Sequence, residues 1–123
     1  MPRNHALSLA VCLAALLPSA VLAQRTIDLG PAFSGTYAPE GMACAGLALI
    51  EVQGGTMVGA EFAISVTDII EFPGEPNRIE ASLFNQAGGG EWEDSAILTL
   101  AEDGQSLRFD YPDGTTAVWV RCD

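Results

Sequence analysis

From Glu91 to Cys122 apolar and polar side chains alternate with a period of two, in runs cut short by Gly, Pro and Asp. That spacing places the apolar residues on one face of a strand and scatters them around a helix, so this part of the chain can bury them only as β-structure. Trp92, Ala96, Leu98 and Leu100 share a face of a strand from about Glu91 to Ala101, with Glu93, Ser95 and Thr99 on the other. Asp103-Gly104 predicts a tight hairpin, since Gly accepts the positive φ that such turns need. Leu107, Phe109 and Tyr111 alternate with Ser106, Arg108 and Asp110 in the next strand, and Pro112-Asp113-Gly114 turns the chain again. In the last strand, Thr115 to Cys122, Val118, Val120 and Cys122 are expected on one side and Ala117, Trp119 and Arg121 on the other.

Upstream the same pattern recurs more faintly. A first strand is expected at Phe33 to Tyr37, a second at Leu47 to Gln53 ended by Gly54-Gly55, and a short partner at Thr56 to Gly59. Phe62, Ile64 and Val66 share a face of a strand from Glu61 to Glu71, and Ile69-Ile70 breaks the alternation as a bulge does. Pro73 to Asn77 reads as a loop, Ile79, Ala81 and Leu83 as the dry face of another strand, and Gly88-Gly89-Gly90 as a flexible connection. Seven or eight antiparallel strands result, and they must bury one face in a closed barrel or a two-layer sandwich. The expected core is Leu49, Val52, Phe62, Ile64, Ile79, Leu83, Trp92, Leu98, Leu100, Leu107, Phe109, Val118 and Val120.

Residues 1 to 23 are expected to be a cleaved Sec-type signal peptide. Arg3 precedes an apolar stretch from Ala6 to Leu17, Pro18 ends it, and Val21 and Ala23 are the small or aliphatic residues a signal peptidase reads before Gln24. About 12 apolar residues would span only ~18 Å of a ~30 Å hydrocarbon layer, so stable membrane insertion is not expected. The remaining chain, 24 to 123, has the length of one small domain. A periplasmic or secreted location follows, and Gln24 to Pro31 leads in as an ordered arm or a loose tail. Export removes Cys12 and leaves Cys44 and Cys122, an even pair that an oxidising compartment joins. Closing a loop of roughly 80 residues contributes about 4.5 kcal/mol in the chain-entropy model. The bond ties the segment after the first strand to the end of the last, which favours a barrel over a sandwich.

Charge and missing residue types then exclude much chemistry. Once Arg3 leaves, four basic side chains face sixteen acidic ones, a formal charge of −12, whereas a nucleic-acid binder needs a basic face. The chain has no lysine, and its single histidine, His5, lies in the export segment. No histidine-based relay, imidazole zinc site, Schiff base or phosphate-loop lysine can therefore be built, and no metal or other cofactor is expected. Asp110, Asp113 and Gly114 offer oxygens to calcium but lack the spaced Asp-x-Asp-x-Asp-Gly pattern, so they read as a turn. Glu91, Glu93 and Asp94 beside Trp92 are the one constellation that suggests a carboxylate-dependent glycoside hydrolase, although Glu91 and Glu93 point away from the Trp92 face.

Ser34-Gly35-Thr36-Tyr37, taken with Arg121, resembles the lipocalin and calycin signature. There a Gly-x-Trp opens the first strand, and a basic residue from the last strand packs across the aromatic ring to close the barrel's base; here Tyr37 stands in place of the Trp. With Gly-Gly-Glu-Trp-Glu-Asp at 89–94 and Trp-Val-Arg-Cys at 119–122, the chain is also similar to small uncharacterised exported bacterial proteins. The resemblance implies a β-barrel with the disulfide and no particular activity. Two binding functions remain. In one, the acidic surface meets another macromolecule with a cationic face, as an inhibitor or accessory protein would, with Tyr37, Trp92, Glu93, Asp94, Trp119 and Arg121 as candidate binding residues. In the other, the barrel holds a small apolar ligand, with Tyr37, Phe33 and Trp119 at its mouth.

Overall fold

The computed structural model describes residues 25–123; the expected export segment, with Cys12 and His5, lies outside the described residues. The alternating runs form eight antiparallel strands: β1 (Gly35–Pro39), β2 (Ile50–Gln53), β3 (Thr56–Val58), β4 (Phe62–Phe72), β5 (Glu75–Ala87), β6 (Gly90–Leu100), β7 (Ser106–Asp110) and β8 (Thr116–Arg121). Each strand pairs with the next, and β8 returns to β1 with Tyr37 opposite Arg121 and Pro39 opposite Trp119. The sheet is a closed barrel, and the sandwich alternative falls away. Helix among the described residues is limited to two single 3₁₀ turns, Pro31–Phe33 and Gly46–Ala48.

Several boundaries differ from the sequence reading, each for a local reason. Pro31 fixes φ for the 3₁₀ turn, so β1 begins at Gly35 and not at Phe33. The bulge in β4 falls at Thr67, between Val66 and Asp68, earlier than Ile69-Ile70, and it restores Ile69 to the interior face opposite Ala81. The loop expected over Pro73 to Asn77 contracts to a turn at Pro73-Gly74, because β5 resumes at Glu75. Gly88-Gly89 is likewise a tight two-residue turn with φ of 60° and 79°, not a flexible linker. The arm ahead of the barrel is ordered from Arg25 on: Ile27 N–H donates to the Val66 carbonyl and Leu29 N–H to that of Gly54.

The interior is filled by Tyr37, Val52, Met57, Val66, Leu83, Leu98, Leu107 and Phe109, all fully buried. Three corrections concern the expected core. In β8 the face is inverted: Trp119 is buried inside with Ala117 packed against the core, while Val120 turns outward. Hydrophobicity alone favours the outward valines, Val118 and Val120, as the core pair, but closure against Tyr37 requires Arg121 to point in, and alternation then sends Trp119 in with it. Trp92 lies on the interior-facing register of β6 yet is 49% exposed, because it sits above the packed layers at the barrel's rim. Leu49 and Phe62 are only partly buried.

Cys44 and Cys122 are joined, with Cα atoms 5.7 Å apart and 78 residues between them in sequence. Because Arg121 faces in, Cys122 faces out, and its N–H donates to the Thr36 carbonyl (2.7 Å). The β1–β8 ladder runs on to Glu40, whose N–H donates to the Val118 carbonyl (2.9 Å), and the chain then turns back to bring Cys44 to the outward-facing Cys122; outward-facing Ala38 is buried.

Arg121 closes the base. Its Nε donates to the Gly104 carbonyl (2.7 Å), Nη1 to Ser34 (2.7 Å), and Nη2 to both Ala32 (3.0 Å) and the Tyr37 hydroxyl (2.9 Å). The guanidinium carbon lies 4.9 Å from the centre of the Tyr37 ring, whose hydroxyl donates onward to the Phe33 carbonyl (2.8 Å). Gly35 is needed beside it, since a Cβ there would overlap Nη1, which is already held in place. Replacing a mostly buried, multiply bonded Arg leaves carbonyls without donors, so Arg121→Gln is expected to cost about 3 kcal/mol. Gly35→Val should destabilise by a similar amount, and urea unfolding of both variants with the disulfide intact measures it.

Candidate functional site

The two ends of the barrel differ. At the base Arg121, Tyr37 and Phe33 seal the interior, so Tyr37 and Phe33 do not line the mouth as the apolar-ligand reading had placed them. At the open end a cleft of about 250 Å³ is lined by Pro39, Ile50, Phe62, Ala63, Ile64, Asn85, Gln86, Ala87, Trp92 and Trp119. Its floor is set by the aromatic cluster: Trp119 lies 4.5 Å from Phe109, 6.2 Å from Phe62 and 6.5 Å from Tyr37, centroid to centroid. β8 holds Trp119 opposite Pro39 and Leu107, and the β5–β6 pairing holds Trp92 opposite Asn85.

Asn85 is the buried polar residue of this end. Its one side-chain hydrogen bond among the described residues is long, 3.5 Å from Nδ2 to the Trp92 carbonyl. The cleft therefore offers apolar walls with one buried amide of spare bonding capacity, Asn85, and the exposed Gln86 at its rim, an arrangement suited to an apolar group carrying few polar atoms. It is shallow, because the layers below it are filled by side chains.

Acids frame the cleft. Glu61 and Glu91 line an adjoining open groove along β4, β5 and β6, with Phe62, Ala63, Gln86 and Ala87. Glu91 accepts from Gln86 Nε2 (3.1 Å). On β6 the alternation sends Glu91 and Glu93 to the outer face and Trp92 and Asp94 to the inner one. Glu93 and Asp94 thus leave opposite faces, an awkward start for a pair of hydrolytic carboxylates that must flank one bond. Asp94 Oδ1 instead accepts from the Ser95 N–H (2.8 Å).

The sequence-derived candidates therefore divide between the ends. Trp92 and Trp119 meet in the cleft, with Glu93 and Asp94 beside them on β6; Tyr37 and Arg121 belong to the base. Phe62 and Asn85 were missed as site residues. Phe62 carried only the signal of a core aromatic, and an Asn within an otherwise apolar alternation, Leu83-Phe84-Asn85, was the available hint for the other. The calcium candidates are engaged locally: Asp110 pairs with Arg108 (3.0 Å), and Asp113 accepts from the Thr115 N–H (2.9 Å) and hydroxyl (2.6 Å), which holds its carboxyl below the usual range.

A second depression of about 490 Å³ lies at the base between the arm, Asp28 to Phe33, and the β4–β5 turn. Its cation, Arg78, is stacked on Phe72 (4.4 Å) and paired with Glu75 (3.4 Å). Neither exposed tryptophan nor a buried amide opens into it, so the open end is the better candidate. The chain matches no protein-family model, and none of the curated proteins or solved structures compared with it matches either.

Two measurements check this geometry. Trp119 is packed on three aromatic rings and Trp92 stands half in solvent, so Trp119→Ala is expected to cost about 3 to 5 kcal/mol and Trp92→Ala about 1 kcal/mol or less. Loss of Trp92 should also remove the red-shifted part of the emission. The pH response follows from Tyr111 and Tyr37. Burial raises both above the ordinary 10.0; nearby Asp94 and Asp113 add to the rise at Tyr111, while Arg121 opposes it at Tyr37. A raised folded-state value means the folded chain holds the proton more tightly, so this stability is fully present below about pH 10 and lost as pH climbs through the folded values. Tyrosinate absorbance should rise later in the native protein than in urea, and the thermal midpoint should fall above pH 10.

Proposed function

We propose that the chain, exported to the periplasm or beyond the cell, is a non-enzymatic binding domain. Its open end takes an apolar side chain of another macromolecule, and its carboxylates receive that partner's cationic surface. The observation that carries this reading is Trp92, half exposed on an apolar cleft and flanked in sequence by Glu91, Glu93 and Asp94. Exposed tryptophans at the edge of a small pocket are typical anchors of interfaces, and surrounding charge of one sign steers a partner of the other. A net charge of −11 over the whole sequence, with no lysine, extends the same preference to long range.

An inhibitor or accessory protein of a basic enzyme would have this character. No catalytic role, metal or cofactor is part of the reading, nor is nucleic acid or stable membrane insertion. A second reading, a small apolar ligand in the cleft, is favoured by the apolar lining and by Asn85, but the filled interior limits it to a group of modest size.

The test uses two cationic probes, lysozyme and a seven-residue peptide alternating lysine and valine, each titrated against the exported domain with tryptophan emission as readout. Binding is expected at about 50 mM salt and should weaken at least tenfold by about 0.5 M, since surface charge is screened there. Trp92→Ala should weaken it further, and the glutamate counterpart of the peptide should not bind. Failure of both cationic probes, or affinity indifferent to salt, would overturn the reading; saturation of the cleft by a neutral apolar probe with no cation bound would favour the alternative.

A further inference from the structure

The strands of this barrel are unequal, and at the open end the inequality leaves the upper part of β6 unpaired on one side. β6 pairs with β5 along its whole length, from Ala87 opposite Gly90 to Arg78 opposite Thr99. On its other side it pairs with β7 only from Ile97, opposite Asp110, down to Leu100. β7 ends at Asp110, and Pro112, two residues on, has no N–H to continue the ladder; the chain turns back there: Tyr111 N–H bonds the Thr115 carbonyl and Gly114 N–H that of Tyr111. Gly90 to Ala96 therefore stand as a seven-residue stretch, about 23 Å long, with no strand on the β7 side.

Which backbone groups this edge offers follows from the pairing. The two-residue turn at Gly88-Gly89 makes Ala87 and Gly90 a hydrogen-bonded pair, so the even-numbered residues of β6 turn their N–H and C=O towards β5 and the odd-numbered ones away. Lower down the odd-numbered side does meet β7, where Ala101 N–H donates to the Ser106 carbonyl. Above, Glu91, Glu93 and Ser95 point their groups at the vacant side. Ser95 N–H is taken by the Asp94 carboxylate (2.8 Å), which leaves Glu91 and Glu93 with both N–H and C=O open among the described residues.

Resting on the cationic-partner reading above, we propose that this upper edge of β6 is a strand-addition site, occupied by an extended segment of the partner in which basic and apolar residues alternate. Side chains of an added strand share faces with those they stand opposite. Residues opposite Glu91 and Glu93 lie on the outer face and are basic; those opposite Trp92 lie on the inner face and enter the cleft. Main-chain bonds supply affinity and the alternate pockets supply selectivity, as in other strand-addition complexes. A second copy of this chain is the wrong occupant, because Glu91 and Glu93 would stand against their own counterparts in a symmetric pairing.

Amide hydrogen exchange with the lysine–valine peptide is the test, with lysozyme as the control for charge alone. Exchange at Glu91 and Glu93 should slow at least tenfold on saturation. An added strand turns alternate amides to β6 and the rest to solvent, so N-methylation of one alternate set in the peptide should weaken binding at least tenfold and that of the other set should not. Glu93→Pro, which removes an edge donor without touching the β5 ladder, should weaken binding at least tenfold more than Glu93→Gln, which removes only the charge; should it fail to fold, the two N-methylated peptides still decide. Peptide binding without protection, with both methylated sets bound alike, would overturn strand addition. So would edge protection in the free protein that grows with its concentration, the mark of a second copy. If lysozyme binds in a salt-sensitive way and the peptide does not, strand addition falls and the cationic-partner reading stands; if neither binds, both fall.

Discussion

The contact between Arg121 and Tyr37 determines how the barrel closes. One guanidinium gathers carbonyls from the 3₁₀ turn, from the start of β1 and from the β6–β7 turn, and lies over the ring that the first strand places beneath it. These segments are far apart in sequence, and among the described residues no other side chain hydrogen-bonds to all of them. A buried guanidinium is tolerated because its donors meet carbonyl oxygens or the Tyr37 hydroxyl, with Asp123 nearby at 3.7 Å. Once Arg121 points in, the face of every residue in β8 is determined: Trp119 enters the interior, Val120 leaves it, and Cys122 turns outward to meet Cys44.

That closure is the contact the lipocalin and calycin resemblance implies, with Tyr37 in the place of a tryptophan. A phenol can do what an indole cannot here, since its hydroxyl accepts from Arg121 and donates to Phe33 at once. The disulfide supports the closure from outside by holding the loop after β1 against β8. The interior is thereby closed at the base, and the apolar cleft with Trp92 and Trp119 lies at the other end. There β4, β5 and β6 are long and β7 and β8 short, so the barrel is cut obliquely, and Trp92 is raised above the core on a hairpin with one free edge.

Much of this was legible along the chain. The alternation of Leu98 with Leu100 and of Leu107 with Phe109 identified strands and their buried faces, because each residue's side is fixed by its neighbours. The pairing of Cys44 with Cys122 followed from counting thiols. β8 defeated the same reasoning, since Ala117-Val118-Trp119-Val120-Arg121 is plausible with either face inward and hydrophobicity alone prefers the valines. Trp92 defeated it differently: its face was right, but depth along the barrel axis is not encoded in a period of two.

What the amino-acid sequence determined by itself is therefore the class of structure and its chemistry: antiparallel β-structure, a covalent tie between two thiols, an acidic surface, and no lysine or histidine in the described chain. Those properties are local or compositional, and they survive whatever the strands do next. Only the tertiary structure decided that an arginine could be an interior residue, that Trp92 and Trp119 belong to one cleft, and that β6 outlasts β7. Each depends on where eight strands stop relative to one another in a closed ring, and that offset is set by distant pairings that no window of sequence contains.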